Sequence, residues 1–328
     1  MAVVLFTCAG QRVDIVTAFS KAGGTTVAVD ANELAPALYA ADHRALVPAV
    51  ADPGYVDALR SLVSEHDVAL IVPLADTDHR ILAEQRDRLD AFVLLPGSDA
   101  IRLCEDKHAA HLFFEEHGIA TPPTWLPEAV PADVTFPVLV KARRGFGSRH
   151  IFRAHDRREL DFFLGYTTEP SMVQQACAGE EFSVDVFCDA DGRCLNAIPR
   201  TMIESKGGES IRGMTTRDSQ LIDHGRGVAE ALGIIGPANI QCFREPDGSL
   251  PVTDVNPRFG GGFPLPTAAG SHYPELALAL AAGERPEPRL GEFREGVLMT
   301  RYFWQVILED DGGTLVPMVE QLAVPDDA

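Results

Sequence analysis

Over residues 1–97, short apolar runs alternate with amphipathic stretches. Val3–Thr7, Thr25–Asp30, Arg44–Pro48, Val68–Leu74 and Phe92–Pro96 are rich in aliphatic and β-branched side chains and read as strands. The intervening stretches, around 12–22, 34–40, 55–65 and 77–89, carry apolar residues at helical spacing. Strands that are apolar almost throughout, each followed by a helix, predict a parallel sheet covered on both faces. From residue 98 the pattern changes. Ser98 or Asp99 opens one helix that runs to Gly118, and Thr121-Pro122-Pro123-Thr124 then breaks the chain. Beyond it, Phe136–Ala142, His150–Arg153, Ser171–Ala176, Phe182–Cys188 and Cys194–Ile203 are strands with turn signals between them, and helices fall at 157–166 and 219–232. A further helix is expected at 274–282, a last strand at 296–308, and an acidic, loosely held tail after 310. The fold class is therefore α/β, with an N-terminal parallel-sheet domain followed by a two-lobed α+β domain.

Polar residues interrupt this pattern at one place in particular. In Leu250–Gly262, Asp254, Asn256 and Arg258 alternate along a short strand, so they share one face until Pro257 ends the ladder. Ala238–Phe243 reads as its hairpin partner across Pro246-Asp247-Gly248-Ser249. A four-residue loop would place Gln241 opposite Asp254 and Asn239 opposite Asn256. One carboxylate, several amides and a guanidinium then converge beside Gly260-Gly261-Gly262, a donor set suited to Mg²⁺ carried by a polyphosphate. The alternative is a solvated edge hairpin with a polar outer face.

Composition narrows the choices. The formal charge of −20 argues against nucleic-acid partners and anionic membranes. No apolar run approaches the ~18 residues needed to span a bilayer. Six scattered cysteines without a C-x-x-C pair suit a reduced, cytoplasmic protein. Only Lys21, Lys107, Lys141 and Lys206 are lysines among the 28 basic residues. Lys21 reads as ordinary helix surface, whereas the other three fall in stretches where a compact ammonium suits a need that a planar guanidinium does not meet. Lys141 ends a β-branched run and is followed by Arg143-Arg144-Gly145-Phe146-Gly147-Ser148, a loop whose N–H groups suit anionic oxygens. A glycine hairpin with a snorkelling lysine is the plainer reading. The turn after the first strand, Cys8-Ala9-Gly10-Gln11, has a single glycine and not G-x-G-x-x-G, which counts against a dinucleotide site and a nicotinamide-dependent oxidoreductase. Asp76, at the end of the fourth strand, suits either a substrate contact or a helix cap.

In order and spacing these segments resemble the ATP-grasp superfamily, in particular its carbamoyl-phosphate-synthetase-like branch of ligases. The motifs are Asp254-Val255-Asn256-Pro257-Arg258 with Gln241, Val173-Gln174-Gln175-Ala176 with Gly179-Glu180-Glu181, Asp106-Lys107, and Pro137–Lys141 with its glycine loop. The resemblance implies a pre-ATP-grasp domain over 1–97 and an ATP-grasp domain over 98–310, with a small lobe at about 124–176 and the tail at 311–328. It implies that Lys107 and Lys141 contact ATP phosphates, with Gly145, Phe146, Gly147 and Ser148 closing over them. Gln174, Gln175 and Ala176 would line the adenine, largely through the hinge backbone, and Glu181 would hold the ribose. Gln241, Asp254 and Asn256 would bind Mg²⁺, and Arg258 would sit at the transferring phosphoryl group. The family usually has glutamate at the position of Asp254, so a carboxylate bridging two metals is in question here. Gln174 likewise stands where a carboxylate is common. The implied reaction joins a carboxylate to an amine through an acyl phosphate, and the expected partners are small molecules, with a homodimer as the commonest assembly. Asp76, Arg200, Glu204, Lys206 and Arg212 are candidate selectivity residues. A nucleotide-binding protein without chemistry is the remaining alternative.

Overall fold

In the computed structural model, residues 2–145, 150–206 and 209–318 are described. The described residues divide into two compact units, one formed by 2–95, 272–286 and 301–318 and the other by 96–271 and 287–300. The linear reading of 98–310 as one stretch therefore differs from the structure, which groups two later segments with the N-terminal unit.

The first unit is built on β1 (Val3–Thr7), α1 (Val13–Lys21), β2 (Thr25–Asp30), β3 (His43–Leu46), α2 (Tyr55–His66), β4 (Val68–Pro73), α3 (His79–Gln85) and β5 (Phe92–Val93). The sheet is parallel throughout, in the order β3-β2-β1-β4-β5. Its central strands are buried on both faces, as Val4, Leu5, Phe6, Val27, Ala28, Val29, Leu70 and Ile71 show. This is the reason they are apolar without alternation. The stretch expected to be helical at 34–40 tightens to a 3₁₀ turn over Pro36–Ala40.

The second unit opens with α4 (Ser98–Glu105) and α5 (Lys107–Glu116), two helices where the periodicity predicts one. They part at Asp106, whose extended backbone frees its carboxylate to accept from Ala109 N at 3.2 Å as the cap of α5. A small antiparallel sheet follows, made of β6 (Thr124–Trp125), β7 (Val138–Ala142), β8 (Phe152–Ala154) and β9 (Ser171–Gln175), in the order β6-β9-β7-β8 with α6 (Arg157–Tyr166) beside it. One face of this sheet holds the core of the small lobe, with Val138, Val140, Ala154, Leu160 and Val173. A larger sheet orders β11-β10-β14-β15, from β10 (Glu180–Cys188), β11 (Cys194–Thr201), β14 (Gly236–Arg244) and β15 (Val252–Asn256). The strands β12 (Glu204–Lys206) and β13 (Glu209–Met214) form a hairpin. Val184, Val186, Ile240, Cys242 and Val255 belong to a core that includes Leu221 and Val228 of α7 (Ser219–Ala231). A Cβ on Gly225 of α7 would lie 2.5 Å from Val184 Cγ1, so glycine is what lets this helix rest on β10.

After α8 (Pro264–Ala269), helix α9 (Tyr273–Ala281) belongs to the first unit, β16 (Leu298–Thr300) to the second, and the hairpin of β17 (Leu308–Asp311) and β18 (Thr314–Pro317) to the first. The long strand expected over 296–308 is thus three residues. The segment expected to be a loose tail contains β18, with Arg44 donating to Leu315 O at 3.0 Å. Among the described residues no helix is long and apolar enough to cross a membrane.

Candidate active site

The register of the larger sheet builds the site. Gln241 pairs with Asp254 and Asn239 with Asn256, as the hairpin pattern predicts, although a bulge lies between Gln241 and Cys242. The strand β10 places Ser183 against Gln241 and Asp185 against Asn239. Because β side chains alternate, the face opposite the Val184–Ile240–Val255 core carries Glu181, Ser183, Asp185, Asn239, Gln241, Asp254 and Asn256.

On this face Asp254 Oδ1 accepts from Lys107 Nζ at 2.7 Å and Asp254 Oδ2 from Asn256 Nδ2 at 3.4 Å. Asn256 Oδ1 in turn accepts from Arg258 Nη2 at 3.3 Å. Lys107, Asp254, Asn256 and Arg258 are thus brought together. Burial pushes the Asp254 carboxyl up, but the Lys107 ammonium, its hydrogen bond, the Lys141 charge and the Asn256 amide outweigh it and hold the group below the usual carboxylate range. The side-chain amide of Gln241 makes no hydrogen bond among the described residues.

Deeper in the same face, Asp185 Oδ2 accepts from Arg200 Nε at 2.7 Å and Asp185 Oδ1 from Asn239 Nδ2 at 2.8 Å. Arg200 is 2% exposed. Two glycines admit this network. A Cβ on Gly262 would lie 2.5 Å from Arg200 Cζ, and one on Gly260 would lie 2.9 Å from Asp185 Oδ1. Arg200, a candidate substrate contact from sequence, is therefore packed beneath the glycine run and committed to Asp185. Asp185 was missed by the motif reading. Its signal is an acid on the polar side of a strand whose alternate residues are all core.

The small lobe contributes Lys141, which is 9% exposed and donates to Gln174 Oε1 at 2.8 Å. Desolvation lowers the Lys141 ammonium, with Asp254 opposing and Lys107 assisting, while Cys177 and Glu181 oppose more weakly. This electrostatic coupling ties Lys141 to the Asp254 group. The two are also linked mechanically. Lys107 N donates to Arg143 O at 3.0 Å, and Arg143 Nε pairs with Asp106 at 2.7 Å, so the end of β7 is fastened to the start of α5.

The hinge side chains are engaged within the small lobe. Gln174 is inside the ladder, paired with Leu139 on one side and Thr124 on the other, and its side chain is 2% exposed. Its side chain meets Lys141 and Thr124. Gln175 N donates to Pro123 O at 2.8 Å, Gln175 Nε2 to Pro137 O at 3.0 Å, and Ala176 N to Pro137 O at 3.2 Å. The hinge N–H left without a partner among the described residues is that of Cys177, which the motif reading passed over. Burial and the adjacent Glu245 push its thiol up to about 12. Burial likewise raises the Glu181 carboxyl, against the pull of Lys141 and Arg200.

Other expected residues lie elsewhere or outside view. Gly145 ends the described part of its loop, and Phe146, Gly147 and Ser148 lie outside the described residues. Glu204 and Arg212 form an exposed pair at 2.9 Å on the β12–β13 hairpin, and the side chain of Lys206 lies outside the described residues. Asp76 belongs to the first unit, with Oδ1 4.0 Å from His79 Nδ1 in the first turn of α3, whose cap position is Asp78.

Among the described residues no group of three acidic, histidine or cysteine side chains could hold a metal by itself. Asp254 with the amide oxygens of Asn256 and Gln241 is a one-carboxylate set, which fits an ion that keeps phosphate and water ligands.

Two family models match the chain. One, described as the PylC-like N-terminal domain, covers residues 4–93. The other, described as ATP-grasp in the biosynthetic pathway with Ter operon, covers 167–302. Among curated proteins, the vancomycin/teicoplanin A-type resistance protein VanA of Enterococcus faecium is 24% identical over 53% of this chain and 60% of its own length. The carbamoyl phosphate synthase large chain of Methanospirillum hungatei is 23% identical over 70% of this chain and 23% of its own length. The chain thus spans less than two thirds of these curated relatives. Among solved structures, an L-amino acid ligase from Bacillus licheniformis superposes with a TM-score of 0.71 at 19% identity, covering 90% of this chain and 78% of that one.

Proposed function

This chain belongs to the ATP-grasp superfamily, and on that premise we propose that it is an ATP-dependent carboxylate–amine ligase acting on amino-acid-like substrates. A substrate carboxylate attacks the γ-phosphorus of ATP, ADP leaves, and an amine displaces phosphate from the acyl phosphate to form an amide. The observation that carries this reading is the meeting of a lone carboxylate, Asp254, with Asn256, Arg258 and Lys107 across from a buried ammonium, Lys141. That arrangement suits a polyanion and its cation. It holds no nucleophile–base pair, and phosphoryl transfer needs none, because positioning and charge neutralisation do the work.

In this reading Lys141 and Lys107 neutralise phosphate oxygens, Arg258 lies at the transferring phosphoryl group, and the Cys177 N–H with the neighbouring hinge carbonyls meets the base. Glu181 accepts from the ribose hydroxyls. Asp254, Asn256 and Gln241 would hold Mg²⁺, which when bound offsets the charge of the phosphate chain. Lys107 then gives up its bond to Asp254 and turns to the phosphates, a change its flexible stem permits. Aspartate in place of the longer glutamate favours a single ion.

The test is ADP release from MgATP in the presence of pools of amino acids, with mass spectrometry of the product. ADP formation that depends on a pair of substrates, with a product at their summed mass less water, is expected. ATP binding without ADP from any pair would sink the ligase reading and leave a nucleotide-binding protein. Lys141→Ala and Asn256→Ala should each lower turnover by about 10²–10³-fold with unchanged circular dichroism. Wild-type rates in either variant would overturn the site assignment.

A further inference from the structure

The buried ammonium of Lys141 is held by a short chain of polar groups whose direction is chemically enforced. Thr124 lies opposite Gln174 in the β6–β9 pairing, and Leu139 lies opposite Gln174 in the β7–β9 pairing. Lys141 follows Leu139 by two residues, so Thr124, Gln174 and Lys141 all occupy the face of the small sheet that turns away from the Val138–Val173 core. All three are buried. Thr124 Oγ1 donates to Pro122 O at 2.8 Å, Gln174 Nε2 donates to Thr124 Oγ1 at 3.0 Å, and Lys141 Nζ donates to Gln174 Oε1 at 2.8 Å.

A carbonyl oxygen can only accept, so the one hydroxyl proton of Thr124 is committed to Pro122. The hydroxyl oxygen is then left as an acceptor, and the only Gln174 atom that satisfies it is the amide nitrogen. The amide carbonyl must therefore face the ammonium. The reversed amide would set N–H against N–H at Lys141 and oxygen against oxygen at Thr124, with all groups out of reach of water. One of the three ammonium hydrogens is occupied in this way, and the other two have no partner among the described residues. Because the acceptor is an amide and not a carboxylate, it orients Lys141 without cancelling its charge.

We propose that Thr124 and Gln174 are positioning residues, a neutral relay running from the Pro122 carbonyl that aims Lys141 and leaves its charge for an anionic phosphate. This rests on the nucleotide-binding reading of the site given above. Neither residue is given a nucleotide contact in this arrangement, because both ends of the Gln174 amide are engaged within the small sheet, Oε1 with Lys141 and Nε2 with Thr124. The relay also accounts for an amide standing where a carboxylate is common in the resembling family. A carboxylate at 174 would face the lone pairs of Thr124 Oγ1 unless the hydroxyl abandoned Pro122.

The test uses the full chain and two readouts. Titration with MgATP should give a dissociation constant weakened about tenfold in Thr124→Val and at least as much in Gln174→Leu, whereas Thr124→Ser, which keeps the hydroxyl, stays within about twofold of wild type. In turnover assays the Thr124→Val loss should fall mainly on KM for ATP, with kcat reduced less. Independently of any nucleotide, the side-chain NH₂ of Gln174, assigned by its absence in Gln174→Leu, should exchange slowly with solvent in wild type and Thr124→Ser and rapidly in Thr124→Val. Melting curves show that each variant is folded. Wild-type affinity in folded Thr124→Val, or a rapidly exchanging Gln174 amide in wild type, would overturn the relay. If wild type binds no MgATP although its amide is protected, the ligase reading fails, and the relay falls with it as a phosphate-aiming device.

Discussion

Asp254 stands under opposing influences: burial raises its carboxyl, while the Lys107 and Lys141 charges lower it more. Replacing Lys107 by methionine removes the largest of the lowering contributions and should move the Asp254 titration upward, read by carbon NMR of the carboxyl group. An unchanged midpoint would mean that the 2.7 Å pair does not form in solution. At this scale the residue types with a single economical use were legible. A lysine in an arginine-biased chain and an acid two residues from an asparagine on a short strand pointed to themselves. Asp185 and Thr124 did not, because each works through a partner far along the chain, Arg200 and Gln174, and nothing local separates them from ordinary strand polar residues. Arg200 shows the opposite error. Its charge suggested a substrate contact, but only packing reveals that Gly262 makes room for it beneath the surface.

The break between α4 and α5 is the element that matters most for the site, because it puts Lys107 at the first position of a helix and not in the middle of one. Asp106 makes that break. Its carboxylate caps Ala109 and receives Arg143 and Arg144 from the end of β7. Burial raises the Asp106 carboxyl, but the Arg143 hydrogen bond and the helix N–H outweigh this and hold it below the usual range. Asp106→Ala should cost about 1–3 kcal/mol by urea denaturation and should loosen the junction that carries Lys107. A loss below about 0.5 kcal/mol would show that the cap and the ion pairs are replaceable. Sequence periodicity could not predict the break, since Asp99–Gly118 keeps helical spacing throughout and Asp106 differs from any surface aspartate only through residues 37 and 38 positions away.

At the scale of the whole molecule, buried titratable groups set an acid response with opposing signs. Burial lowers His111 and His224, so the stability tied to their neutral forms is present above the ordinary histidine value and is lost as pH falls through that value towards their folded ones. Asp106 and Asp218 are depressed, so their contribution is present above the ordinary aspartate value and is lost as pH falls further, through their folded values. Asp78 has the opposite sign. Burial raises it, so its contribution is present below the ordinary aspartate value and is lost as pH rises through its folded one. Asp78→Asn keeps an acceptor for Tyr55, which donates to it at 2.8 Å, and removes that opposing contribution. The variant should be more stable than wild type at neutral pH and should lose stability more steeply on acidification, read from urea midpoints across pH 4–8. Parallel profiles for the two proteins would show that Asp78 does not titrate with folding. Alternation and apolar runs by themselves determined the parallel sheet, the pairing of Gln241 with Asp254, and the side of each strand that carries chemistry, because burial imposes a period on the chain that any short window records. Only the tertiary structure decided that Arg200 lies beneath the site, that Gln174 serves Lys141, and that the segments 272–286 and 301–318 belong with the first unit. Those outcomes depend on which buried groups find complementary partners and enough space across long stretches of chain, and no local pattern encodes a partner that is distant in sequence.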